Sequence, residues 1–244
     1  MANIKPKMKL YNGSEYHLLR FLGRHRNYLN SLILSSTNIN LELDYDMEWL
    51  DFGYIKDTVF DKEPTGIEFL THGDTKIYEN VKKKWIQYWP QTGNSQNWDG
   101  VIYLHPLVPK SKKIEKWVVI EAKARLEELQ SKTGAGKESR KIIEKAFKET
   151  KDYFGIQTKN NWLENYYQLA NRLAFLHFMQ LNNVDVTLLN IYFINGWSND
   201  LKKNVTSKKV WEKKIKEEYD YLGINQKAKN CIQELFVNCN GNTK

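Results

Sequence analysis

The sequence predicts an α/β fold with a mixed central sheet flanked by helices. Mostly apolar runs of strand length occur at residues 98–105, 117–123 and 184–195, and such runs are typical of strands buried inside a sheet. Segments with helical periodicity precede, separate and follow these runs. The resulting order of helix, strands, helix and strand suits an α/β core with a mixed sheet.

The elements before the first strand are unequal in clarity. Residues 14–35 predict the first helix, with Ser14 able to cap it. Apolar residues recur along one stripe of that helix: Leu18, Leu22, Leu29, Ile33. Residues 36–60 mix acidic and aromatic residues without a clean period, so no structure is assigned there. A further helix is expected at 76–88, and residues 91–97 have the composition of a loop.

The elements after the first strand follow in a regular order. A basic turn at 106–113 precedes the strand at 117–123, and a short helix is expected at 124–130. Residues 131–137 contain two glycines and predict a flexible break, but the spacing of a phosphate-binding loop is absent. The remaining predictions are helices at 138–153, 161–181 and 207–221, and strands at 184–195 and 232–239.

Length and composition indicate one domain, residues 1–244, with N-terminal and C-terminal elaborations of a common core. No apolar stretch approaches the ~20 residues that cross a bilayer, so no membrane association is expected. The basic N-terminus lacks the apolar core of a secretory signal. The two cysteines, Cys231 and Cys239, have no zinc-site spacing and are expected as free thiols in a reducing cytoplasm.

The formal net charge of +8 favours a phosphate-rich partner, because each neutralised phosphate releases counterions. Lysines cluster at 82–84 and 213–216. A solvated helix face explains those clusters as well as a binding surface does. Charge alone therefore leaves the partner open.

The most informative residues are Asp99 and the triplet Glu121-Ala122-Lys123, which ends the apolar run at 117–120. Side chains alternate along a strand, so Glu121 and Lys123 point to one face and Ala122 to the other. An aspartate on a neighbouring strand can meet them there. Two carboxylates and an ammonium at one place can hold a divalent metal and activate water. The structural alternatives are a turn aspartate before Gly100 and a simple Lys123–Glu121 ion pair.

An aspartate followed at a distance by Glu-X-Lys on an adjacent strand resembles the PD-(D/E)XK nuclease superfamily, which includes many restriction endonucleases. The resemblance spans roughly residues 10–195 and implies a restriction-endonuclease-like core. The segments around Trp89-Pro90 and Trp98-Asp99-Gly100 are also similar to a group of uncharacterised bacterial proteins. Tryptophan, where the family name has proline, precedes Asp99.

The resemblance implies roles for the motif residues. Asp99 and Glu121 would ligate Mg²⁺, with Mn²⁺ able to substitute, and the backbone carbonyl of Ala122 would also contact the metal. Lys123 would orient or deprotonate the attacking water and stabilise charge on the phosphorane. A glutamate on the first helix, Glu15, would reach the metal through a water. Its structural alternative is an acid favoured by the helix dipole.

Gln168 corresponds to a helical glutamine that supports the lysine or contacts phosphate, so we expect its amide to approach Lys123. It shares one helical face with Asn171 and Arg172, and an ordinary exposed polar stripe is the alternative. Arg24, Arg26 and Arg172 are candidate nucleic-acid contacts, with a solvated face as the alternative for the first two.

The resemblance thus implies a Mg²⁺-dependent nuclease acting on DNA, in restriction, defence or repair. A non-catalytic nucleic-acid-binding protein of the same fold is the alternative from another class. A structure-selective resolvase or repair nuclease would use the same chemistry. A homodimer is left open.

Overall fold

The computed structural model describes residues 13–39, 45–50, 53–54, 61–92, 96–107, 115–198 and 203–239. The sequence-based turn at 106–113 lies mostly outside the described residues. The segment 36–60 is described only in part.

Seven α-helices form within these residues. Four of them precede the central helix of the fold, and two follow it. They are α1 (Gly13–Arg24), α2 (Arg26–Ser36), α3 (Thr75–Tyr88), α4 (Lys137–Phe154), α5 (Tyr167–Leu181), α6 (Lys208–Leu222) and α7 (Gln226–Lys229).

The strands form one five-stranded mixed sheet and two short hairpins. The strands are β1 (Tyr45–Trp49), β2 (Gly53–Tyr54), β3 (Asp61–Lys62), β4 (Gly100–Pro106), β5 (Lys116–Lys123), β6 (Asp185–Ile194), β7 (Gly196–Ser198), β8 (Lys203–Val205) and β9 (Ile232–Asn238). The large sheet has the order β1-β4-β5-β6-β9. β4 is antiparallel to β1 and β5, whereas β5, β6 and β9 are mutually parallel. The predicted α/β class with a mixed sheet and flanking helices is confirmed.

Side-chain alternation along β5 separates two hydrophobic cores, one on each face of the sheet. Val118, Ile120 and Ala122 pack with α1 and α2. Trp117 and Val119 pack with α3, α4, α5 and α6. Helix α5 is buried along most of its length because it lies within the second core. Glu121 and Lys123 continue the Trp117 and Val119 series, so they point toward α5.

Three sequence-based boundaries were wrong. The expected first helix, 14–35, is two helices separated at His25, whose φ of −136° and ψ of 30° lie outside the helical region. The segment 124–130 contains only a 3₁₀ turn at Leu126–Leu129. The expected helix 161–181 begins at Tyr167, because Tyr166 adopts a left-handed conformation with φ 52°. The other expected helices and strands form with boundaries within two residues of those predicted.

Candidate functional site

Two adjacent strands bring the motif residues together at one end of the sheet. The β4–β5 register pairs Gly100 with Ile120, so Asp99 lies immediately before the first pair and beside Glu121. The Asp99 amide donates to the Ile120 carbonyl at 3.1 Å. The three motif side chains therefore share the edge of the sheet face that α5 covers.

Asp99 anchors the start of β4 to the end of β5. Its Oδ2 accepts a hydrogen bond from the Ala122 amide at 2.6 Å. The β4 ladder ends at Gly100, so this carboxylate occupies the position that a further strand residue would take. This hydrogen bond to the Ala122 amide is the kind of contact that the turn-residue alternative for Asp99 expects. The Asp99 side chain nevertheless also lies in the site.

Glu121 is the centre of the cluster and is 5% exposed. Its Oε1 contacts the Lys123 ammonium in a buried ion pair. The Gln168 side chain bridges both residues: its Nε2 donates to Glu121 Oε1 at 2.7 Å, and its Oε1 accepts from Lys123 Nζ at 2.9 Å. The expected approach of Gln168 to Lys123 is therefore observed. The Lys123–Glu121 ion pair, the structural alternative to a catalytic role for Lys123, is observed as well.

Arg172 lies one helical turn after Gln168 and hydrogen-bonds to the other oxygen of Glu121. Its Nε and Nη2 donate to Glu121 Oε2 at 3.0 and 2.7 Å, and Nη2 also donates to the Asn97 carbonyl at 2.7 Å. The guanidinium lies 4.4 Å from the centroid of the Trp98 ring. Arg172 is 4% exposed, so it lies beneath the site, and its contact with nucleic acid stays a prediction.

The charges of Glu121 and Lys123 stabilise each other despite burial. Burial alone would raise the pKa of Glu121, but Lys123 and Arg172 hold it below the usual value. Burial would lower the pKa of Lys123, but the Glu121 and Asp99 carboxylates raise it. Lys123 is therefore an ammonium and Glu121 a carboxylate in this arrangement.

The pKa of Asp99 is shifted in the direction that disfavours its charged form. Burial and the Glu121 charge together raise its pKa to about 7, although Lys123 and the Ala122 amide act against the shift. An ionised Asp99 is thus under-compensated by nearby positive charge. The two motif carboxylates differ because Arg172 neutralises only Glu121.

Sequence reasoning missed a third carboxyl group behind the site. Glu218 of α6 is 2% exposed and lines a small cavity together with Glu121, Lys123, Asn190 and Tyr192. Burial raises its pKa to about 8, with Glu121 adding to the effect. Glu218 is 97 residues from Glu121 on an ordinary amphipathic helix, so no local pattern marks it.

Glu15 lies in the first turn of α1, which packs against β5. Its neighbour Ser14 hydrogen-bonds to Glu128, a second missed carboxyl group. Glu128 Oε2 also accepts from the Ala124 amide at 3.2 Å. Glu15 therefore lies at the end of α1 that is next to Glu128, and its reach to a metal stays a prediction.

Arg24 and Arg26 flank the break between α1 and α2 and are exposed. Ten residues separate Ser14 from Arg24, which places Arg24 about 15 Å along the helix from the site end. Arg26 donates from Nε to the Leu22 carbonyl at 3.2 Å. Both arginines lie on the outer surface, where either a phosphate contact or simple solvation is compatible with their placement.

The donor set fits a divalent cation. Asp99 and Glu121 offer the hard oxygen atoms that Mg²⁺ prefers, and one or two protein carboxylates suffice for it. A cation would also relieve the excess negative charge around Asp99. Both oxygens of Glu121 are engaged, so coordination there would replace one contact with Lys123, Gln168 or Arg172. Among the described residues, no three His, Cys, Asp or Glu side chains form a potential metal cluster.

Comparisons with family models, curated proteins and solved structures yield no match for this chain. Within the described residues, no helix is both long and apolar enough to cross a membrane.

Proposed function

We propose that this chain is a Mg²⁺-dependent nuclease with a restriction-endonuclease-like core, acting on DNA in the cytoplasm. The observation that carries the proposal is the convergence of Asp99, Glu121, Lys123 and Gln168. Gln168 is 45 residues from Lys123 in sequence, yet its amide bridges Lys123 and Glu121. The mixed sheet supports the same assignment: antiparallel β1, β4 and β5 are followed, after α4 and α5, by β6 parallel to β5.

Asp99 and Glu121 would hold the cation, together with the Ala122 carbonyl. When bound, Mg²⁺ supplies charge neutralisation at the phosphate and a more acidic water. The chain itself supplies orientation. The Ala122 amide fixes one oxygen of Asp99, and Arg172 fixes one oxygen of Glu121 while keeping it ionised.

Lys123 has two roles in the resemblance, and its environment favours one of them. The neighbouring carboxylates raise its pKa, so it is a donor of hydrogen bonds and not a proton acceptor. An ammonium there can orient the attacking water and stabilise the developing negative charge of the phosphorane. Gln168 Oε1 holds this ammonium in place.

One observation favours the non-catalytic alternative. Both oxygens of Glu121 already have partners in Lys123, Gln168 and Arg172, which is how a structural ion-pair network is arranged. Such a network would hold α5 against the sheet without any metal. The two functions differ in whether the protein cleaves phosphodiester bonds at all.

Cleavage of labelled duplex, single-stranded and branched DNA, and of RNA, tests the proposal. The purified protein is assayed with Mg²⁺, with Mn²⁺ and with EDTA, beside Asp99→Asn, Glu121→Gln and Lys123→Met. These three variants keep side-chain shape better than alanine does. Asp152→Asn and Lys145→Met, exposed positions on α4, are the matched controls.

Cleavage should require the metal, survive in both controls and fall at least about 100-fold in each site variant, the scale of removing one transition-state contact. Chelator-resistant cleavage, or full activity in Lys123→Met, would overturn the proposal. DNA binding with no cleavage in either metal would establish the non-catalytic alternative. Selective cleavage of the branched substrate would identify a resolvase or repair nuclease.

A further inference from the structure

A second cavity of about 510 Å³ lies beside the candidate site. Its walls come from the segment after α3, the loop before α4, and the first turns of α4 and α5. Its volume falls within the range of sites that bind small organic molecules. The glycine-containing loop that lacked phosphate-loop spacing forms one wall of this cavity.

One side of the cavity is aromatic. Trp89 and Tyr167 both line it, and both are packed against Phe147, with ring centroids 6.3 and 5.9 Å from the Phe147 centroid. The shared contact holds the two rings in place. Trp89 is 4% exposed and stacks on Trp85, so it supports the cavity wall from behind. Tyr167 is only partly buried, and its ring offers a face on which a nucleobase can stack.

Hydroxyl groups also line the cavity. Thr92 Oγ1 and Ser139 Oγ lie 3.3 Å apart at the cavity, and the Thr133 hydroxyl accepts from the Ala135 amide at 3.1 Å. Exposed Lys132 and Lys137 flank the loop. Hydroxyl groups and ammonium groups suit a sugar and a phosphate.

The cavity and the candidate site lie beside adjacent residues of α5. Tyr167 lines the cavity, and the next residue, Gln168, contacts Lys123 and Glu121. Ser131 holds both residues: its carbonyl accepts from the Tyr167 amide at 3.1 Å, and its Oγ accepts from the Gln168 amide at 2.9 Å. A strand with a phosphate at the site could therefore place a neighbouring nucleotide in the cavity.

We propose that this cavity binds one nucleotide, with its base on the Tyr167 ring and its sugar and phosphate toward the loop at 133–139. The nucleotide is either an unpaired residue of the DNA strand at the site or a free nucleotide. Only the first source rests on the proposed function. The recognising groups are the same for both.

Gly134 allows the cavity to be filled without disturbing the core. A Cβ at Gly134 would meet no atom within 4 Å, and its φ is not in the left-handed region. Gly134→Leu therefore adds a side chain in open space at the cavity wall. Gly134→Ala is the matched control, because it changes the same backbone position and leaves most of the volume.

Binding is measured in EDTA, by fluorescence of 2-aminopurine, so that cleavage plays no part. The probes are a single-stranded oligonucleotide containing one 2-aminopurine and the free 2-aminopurine deoxynucleoside monophosphate. An abasic oligonucleotide serves as competitor, and circular dichroism confirms that each variant is folded. Absence of cleavage in the assay above would overturn the nuclease proposal and would leave this binding measurement unaffected.

Wild type and Gly134→Ala should quench the fluorescence of at least one probe, and Gly134→Leu should bind it at least about tenfold more weakly, on the scale of one lost stacking contact. Binding of the oligonucleotide with poor competition by the abasic strand identifies the strand as the source. Binding of the monophosphate alone identifies a free nucleotide. Equal affinity in Gly134→Leu and wild type, or no quenching of either probe by wild type, would overturn the proposal.

Discussion

Asp99→Asn should stabilise the metal-free protein, in contrast to most substitutions of buried residues. Asn removes the charge but keeps the shape and an oxygen that can accept from the Ala122 amide, the contact observed at 2.6 Å. The change therefore isolates the electrostatic conflict between Asp99 and Glu121. The local hydrogen bond should be retained.

The magnitude follows from the raised pKa of Asp99. A shift from 3.8 to about 7 corresponds, at ~1.4 kcal/mol per pH unit, to a penalty of about 4 kcal/mol when Asp99 is fully ionised. Asp99 retains partial contact with solvent and the site can relax, so we expect about 1–2 kcal/mol. The sign is set by proton binding: the folded state binds more protons than the unfolded state between pH 4 and 7. As the pH rises from 4 to 7, the free energy of unfolding of wild type therefore falls relative to that of Asp99→Asn.

Urea unfolding of both proteins in EDTA, at pH 4.5 and at pH 8, measures this difference. Asp99→Asn should exceed wild type at pH 8, and the gap should shrink toward zero at pH 4.5. Saturating Mg²⁺ should narrow or reverse the gap at pH 8, because a cation stabilises only the state that binds it. Asp152→Asn, the same change at an exposed position, should show no such pH dependence. An Asp99→Asn protein less stable than wild type at pH 8, with no effect of Mg²⁺, would refute the reasoning and make Asp99 a structural turn residue.

Three further substitutions test other parts of the account. Arg172→Met should lower the free energy of unfolding by about 2–4 kcal/mol, because the buried Glu121 carboxylate loses a partner. Arg140→Met, which removes solvent-screened ion pairs, should cost much less than Arg172→Met. Equal losses of the two variants in urea unfolding would contradict this difference. Gln168→Ala should slow cleavage at least about tenfold, with a smaller relative change in Tm, because the Gln168 amide aligns Lys123 and Glu121. Turnover equal to that of wild type would show that Gln168 has no role in the reaction. Gly223→Ala should destabilise the protein by at least about 1 kcal/mol, because φ of Gly223 is 72° and a Cβ there would lie 3.1 Å from Ile156 and Thr158. Gly134→Ala should be nearly neutral in the same thermal melts.

The parts of the site that could be predicted are those determined by local periodicity. Alternation along β5 places Glu121 and Lys123 on one face whatever surrounds them. Helical spacing likewise places Gln168 and Arg172 on one face of α5. The relative position of Asp99 required only that its strand pair with β5, as consecutive strands commonly do.

The parts that could not be predicted depend on contacts distant in sequence. Arg172 was a candidate nucleic-acid contact on a polar helix face, and its burial against Glu121 and Asn97 was not foreseen. Glu218 reaches the site only because α6 packs onto the same face of the sheet. The break between α1 and α2 at His25 also has no nearby proline that would predict it, although Gly23 lowers the helical propensity there.

A crystal grown without metal, soaked in Mn²⁺ and measured at the manganese absorption edge tests the central claim most directly. We expect one anomalous peak between the carboxylates of Asp99 and Glu121, with Glu121 released from at least one of its contacts to Lys123, Gln168 and Arg172. The same soak of Asp99→Asn crystals should weaken or abolish the peak. A wild-type map with no peak there, and with Glu121 still held by all three partners at saturating Mn²⁺, would contradict the account.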